Sequence, residues 1–206
     1  MVAQVFAPPN QQSQGLIAQG NPPYTEITRQ GVGWTCAIST PLAPLAAVPT
    51  TTAGLELYNN SFASGSPMAM IIDSLFAFQI VSTNAVRAYG IWAMVSTLKA
   101  VPTLGALSVF SQSGRAFYTT TAASRVVSGL GTTVIANGWR PWGPVATWGA
   151  ANGGVIPGES LEAPINGRLI VPPGASLCIH IAGSLASGTF TFGASWYEEP
   201  MIVPVG

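Results

Sequence analysis

The chain has 206 residues, 48% apolar and only 7% charged, and its seven basic and seven acidic side chains cancel. An ordinary domain is about 25% charged, so this surface is either covered by partner subunits or kept wet by Ser, Thr, Asn and Gln. Near-zero net charge promotes association, which disfavours a lone monomer. The figures also exclude an electrostatic footprint for nucleic acid and a wholly disordered chain.

Met1 to about Gly33 reads as an extended N-terminal arm (residues 1–33). It carries Pro8-Pro9, Gln11-Gln12 and Pro22-Pro23, and its first charge is Glu26. Its start has no basic region and no long apolar run, so no secretory signal is expected. Tandem prolines favour an extended backbone with little internal hydrogen bonding. One reading is a loose terminus; the other is an arm across a neighbouring subunit, seating Val5, Phe6, Leu16 and Ile17.

Residues 34–206 read as a β-sandwich domain. Gly54 to Phe62 and Arg87 to Leu98 look like strands, as does Arg115 to Thr121. Met68 to Ser82 is apolar on both faces, which marks a central strand. Strict alternation puts Met70, Ile72, Phe76, Phe78 and Ile80 on one side, and Ile71, Leu75, Val81, Asp73 and Gln79 on the other. This longest apolar stretch is interrupted by polar residues and falls short of the roughly 20 needed for a membrane helix. The most helix-like run, near Thr97 to Val109, is broken by Pro102 and Gly105. Ser128 to Ala163 reads as a long irregular segment rich in Gly, Trp and Pro, and such loops are commonly functional or pack on a partner.

Arg168 to Val171 is a short strand stopped by Pro172-Pro173-Gly174. Leu177, Ile179 and Ile181 alternate with Cys178, His180 and Ala182. Phe190, Phe192, Ala194 and Trp196 then mark the core face of a last strand, and Gly183 to Ser187 would join these two strands as a hairpin. About eight short strands fit an all-β, antiparallel sandwich of jelly-roll type.

Chemistry-bearing residues are sparse. The lone histidine, His180, shares a strand face with Cys178, but two ligands are too few for a zinc site. Cys36 and Cys178 cannot form a disulfide framework; they are expected reduced and packed, with a bridge between them left open. There is no nucleophile elbow, and the lone lysine, Lys99, follows no phosphate-binding glycine loop. Glu198-Glu199 point to opposite faces and suit no paired-carboxylate mechanism. Neither an enzyme nor a cofactor or metal is expected. The group that stands out is Trp139-Arg140-Pro141-Trp142 followed by Trp148. Indoles and Arg are enriched at interfaces, so these residues are candidate interface groups, with intramolecular packing and a glycan-stacking loop as alternatives.

Several stretches resemble the small jelly-roll structural proteins of tailed bacteriophages that decorate or cement the capsid. They are Leu55-Glu56-Leu57-Tyr58-Asn59, Ile71 to Ala77, Gly167 to Gly174 and Ser195-Trp196-Tyr197-Glu198-Glu199. The resemblance implies a virion protein, assembled in the bacterial cytoplasm, acting as a homotrimer on the major capsid protein. No cofactor, nucleic acid or membrane is expected. A receptor- or glycan-binding module of a tail or fibre is the alternative. The charge distribution adds an expectation: the arm and the Met68 to Ser82 strand are covered on assembly, while Arg115, Arg140 and Glu198-Glu199 mark loops and rims.

Overall fold

A computed structural model describes residues 31–61, 67–81, 87–97, 107, 109–112, 126–129, 138–148 and 160–201. The regular elements among them are β-strands: β1 (Gly33–Ala37), β2 (Leu55–Asn59), β3 (Met68–Val81), β4 (Arg87–Ser96), β5 (Phe110–Ser111), β6 (Val126–Gly129), β7 (Arg140–Trp148), β8 (Ser160–Pro164), β9 (Ile170–Val171), β10 (Ser176–Gly183) and β11 (Thr189–Pro200). The expected strand over Arg115 to Thr121 and nearly all of the arm lie outside the described residues.

The strands form two sheets whose ladders are antiparallel. The first has the order β5-β1-β11-β3-β8, with β9 also on β3; the second has β6-β2-β10-β4-β7. With the short β5, β6 and β9 set aside, the order is β1-β11-β3-β8 over β2-β10-β4-β7. That is the double Greek key of a jelly roll. The core lies between the sheets. Trp34, Phe190, Phe192 and Trp196 face inward from the first, and Leu55, Leu57, Tyr89, Ile91, Leu177, Ile179 and Ile181 from the second. Each large side chain so buried contributes about 1.5–3 kcal/mol relative to exposure.

Three expectations are corrected. First, β10 and β11 do not form a hairpin. β10 lies between β2 and β4 in one sheet, while β11 lies between β1 and β3 in the other. Both strands use both of their edges, so residues 184–188 cross the roughly 10 Å between the layers instead. Gly188 takes φ 84° in this crossing, and the Tyr89 hydroxyl donates to the Ser187 carbonyl.

Second, the faces of β3 do not alternate throughout. Ser195 pairs with Ser74 but Trp196 pairs with Ile72, so Asp73 is an extra, bulged residue. It reverses the parity beyond it. Met70 and Ile72 point inward as expected, and so do Leu75, Ala77 and Gln79. Phe78 and Ile80 turn out to solvent, 46% and 50% exposed. The loop between β8 and β9 moulds to the bulge: the Ile165 and Asn166 amides both donate to the Asp73 carbonyl, at 2.7 and 2.9 Å.

Third, the segment from Ser128 to Ala163 is not one long loop. It contains the end of β6, all of β7 and most of β8. Prolines at 141 and 144 hid β7, yet an edge strand tolerates the donors they remove. β7 ends the second sheet and approaches β8 at the edge of the first. Gly143 makes this possible with φ 72°, and a Cβ there would stand 2.8 Å from that of Ala163. Glu198 also departs from its expected rim position: it lies on the inward parity of β11 and is buried, whereas Glu199 is exposed.

Candidate functional site

The aromatic cluster runs along the β7 edge, with the Trp139 and Trp142 indoles turned to different sides. Trp139, just before β7, is 8% exposed. It packs on Ala53, Met94 and Cys178 as a satellite cluster on the outer face of the second sheet, and its Nε1 donates to the Thr50 carbonyl at 2.7 Å. Trp142 packs against the main core and donates from Nε1 to the Ala93 carbonyl at 3.3 Å. The Arg168 guanidinium lies 5.4 Å from its ring centroid, a cation–π distance. Arg168 also donates to the Ile165 and Pro164 carbonyls at 3.0 and 2.7 Å, so it ties the β8–β9 connection to β7. Arg140 is exposed, and the Trp148 backbone pairs with Arg87 at the far end of β7. Val5, Phe6, Leu16 and Ile17 lie outside the described residues.

The sequence pattern missed a second surface, because strict alternation turns Phe76, Phe78 and Ile80 inward. The Asp73 bulge places Phe78 outward, with Ile80 and Val81 beyond it. Phe110, on β5, is 59% exposed on the opposite margin of the sheet. Between them the outer face is lined by small groups. Thr35 stands opposite Ser195, and the Ser195 and Ser74 hydroxyls are 2.7 Å apart. The Phe76 ring lies over Gly193, where an added Cβ would come within 2.8 Å of Phe76 and closer still to the Cys36 carbonyl. No strand of this sheet contains a Lys or Arg. Burial raises the Tyr197 phenol pKa, with Glu199 and Asp73 adding to the effect.

Among the described residues, Cys36, Cys178, Glu56 and His180 are all buried. Cys36 and Cys178 are free and buried. Burial pushes the Cys36 thiol up to about 12 and raises Cys178 further, with Glu56 adding to the latter. Neither is a thiolate at neutral pH, so neither is a ready nucleophile. Glu56 accepts a hydrogen bond from the Ser176 hydroxyl. His180 is 6% exposed, its Nδ1 lies 2.9 Å from the Ile181 carbonyl, and its ring is 6.0 Å from that of Phe192. Burial lowers its pKa, against a smaller opposing effect of that carbonyl. Among the described residues, no group of three or more His, Cys, Asp and Glu is placed to hold a metal ion. Among the same residues no helix is long and apolar enough to cross a membrane.

No family model matches the chain, and no curated protein does. Among solved structures, the chain is similar to a protein in the structure of a marine algae virus of the order Picornavirales. The identity is 10%, over 100% of this chain and 85% of that one, with a TM-score of 0.27. A likeness that slight bears no weight on fold or function, which rest on the strand order and the surfaces described above.

Proposed function

We propose that the chain is a structural protein of a virus particle, a decoration or cement protein that binds the assembled shell as a homotrimer. The observation that carries the proposal is the outer face of the first sheet. It presents Phe78, Ile80 and Phe110 around small hydroxyl-bearing residues on strands without a single cation. Exposed apolar surface of this kind marks contact sites. The frame is of a type used by viral capsid and lectin domains, but architecture alone does not decide function. The partners are further copies of the chain and the major capsid protein, in a virion assembled in the bacterial cytoplasm. The proposed role needs no catalysis, cofactor, nucleic acid or membrane.

A cement protein that binds the shell and not its free subunits stabilises the shell by mass action, by about 2.7 kcal/mol at a concentration of about 100 Kd. The test is co-sedimentation with assembled shells and with dissociated coat subunits, followed by location of the protein on particles by cryo-electron microscopy. The expected result is capture by shells alone, a raised shell melting temperature and many copies on the head. A strict monomer that ignores shells would overturn the proposal. A few copies confined to a tail tip would replace it with the receptor-binding reading, which a half-exposed indole on the second sheet favours.

A further inference from the structure

The chain is neutral overall, but among the described residues its charges are sorted between the sheets. Asp73, Glu162, Glu198 and Glu199, four of the seven acids, lie on strands of the first sheet, and no base does. On the second sheet the balance reverses: Arg87 and Arg140 lie on β4 and β7, and its one acid, Glu56, is buried. The acids of the first sheet gather towards one end of its outer face. Tyr197, Ile71 and Ile170 form a row across β11, β3 and β9, with Ile170 51% exposed. Glu199 stands two residues along β11 from Tyr197, and Asp73 two residues along β3 from Ile71, so a carboxylate flanks the row on either side. Burial raises the Tyr197 pKa, and Glu199 and Asp73 both lie near enough to raise it further. Among the described residues, neither carboxylate has an ion-pair partner.

The basic groups gather at the β7–β8 edge. Arg140 and Trp142 share a side of β7, since two residues separate them with no register shift. The Arg168 guanidinium lies over the Trp142 ring from the β8–β9 connection. Both arginines are exposed, and among the described residues Arg140 has no ion-pair partner. We infer that the acidic end of the first sheet docks on the β7–β8 edge of a second copy, with Asp73 and Glu199 of one copy facing Arg140 and Arg168 of the next. This contact rests on the homotrimer reading proposed above and gives it an interface. A three-fold ring joins unlike patches head to tail, and the chain carries two patches of opposite sign. Exposed ion pairs add little affinity; they select the partner and fix its register, while Tyr197 and Ile170 supply apolar area. Phe78 lies five residues beyond Asp73, about 17 Å along β3, so the copy contact leaves the proposed shell contact open.

Sedimentation equilibrium on the full chain tests this. The wild type is expected to be a trimer whose association weakens between about 50 mM and about 500 mM salt, as screening tightens. Glu199→Arg and Arg140→Glu each turn an attraction into a repulsion. Each should weaken association about tenfold or more, with the melting temperature of the fold unchanged. Combined in one chain, the two reversals restore opposite signs across the contact, and association should return to within about threefold of the wild type. A trimer that ignores salt or survives both single reversals overturns the contact and leaves the homotrimer in place. So does a double variant no better than either single one. A wild type that is monomeric at low salt overturns both. Shell capture, measured by co-sedimentation on the same samples, scores the shell-binding reading separately.

Discussion

His180 is nearly enclosed, and burial holds its pKa below the usual 6.5. The folded protein therefore takes up this proton less readily than the unfolded chain does. By linkage, stability rises with pH wherever the unfolded state binds more protons. The contribution of His180 is thus fully present above about pH 6.5 and is lost as the pH falls from there towards the lowered folded value. Calorimetry should find that the melting temperature drops between about pH 7 and pH 5, and that His180→Gln drops less. Equal drops would assign the acid sensitivity to the carboxylates instead. Gln79 makes a second case: it is 1% exposed, and neither amide atom has a protein hydrogen-bond partner among the described residues. Methionine has similar length and no polar atoms to desolvate, so Gln79→Met should stabilise the protein by about 1–2 kcal/mol in urea unfolding. A loss of similar size would mean that the amide finds a partner in solution.

Along β3, the residue count matters as much as the residue types. Its inward set from Met70 to Ile72 was legible, because both residues obey the alternation, and the inward faces of β10 and β11 were legible for the same reason. The outward turn of Phe78 was not, since a bulge depends on how a neighbouring strand pairs and Asp73 leaves no periodic mark of it. Strand β7 escaped notice because Pro141 and Pro144 read as loop. The indoles of Trp139 and Trp142 stood out in the sequence. The edge that β7 and β8 share is tied by Arg168, through two carbonyls and the Trp142 ring. Arg168→Ala should cost about 1–2 kcal/mol. Arg168→Lys should recover less than half, because an ammonium cannot reproduce the planar fork. A double-mutant cycle with Trp142→Leu should give a coupling of about 0.5–1 kcal/mol; additivity would remove the ring from the account.

For the whole molecule, the proposed role falls on one of the two sheets. The proposed shell contact belongs to the first, so Phe78→Ser should weaken shell capture about tenfold or more, as loss of an interface aromatic does. Phe78 is 46% exposed, so the melting temperature should barely move; unchanged capture would put the contact elsewhere. This first sheet also has an unusual dependence on chain order. β1 and β3 never touch each other edge to edge; β11 lies between them, so that Thr35 bonds a carbonyl 159 residues away in sequence. A nascent chain that has not yet released Thr189–Pro200 holds this sheet as two separate pieces. The proposed shell-binding surface is thus complete only once β11 has been made and paired, which would place any contact with a shell after the synthesis of Thr189–Pro200.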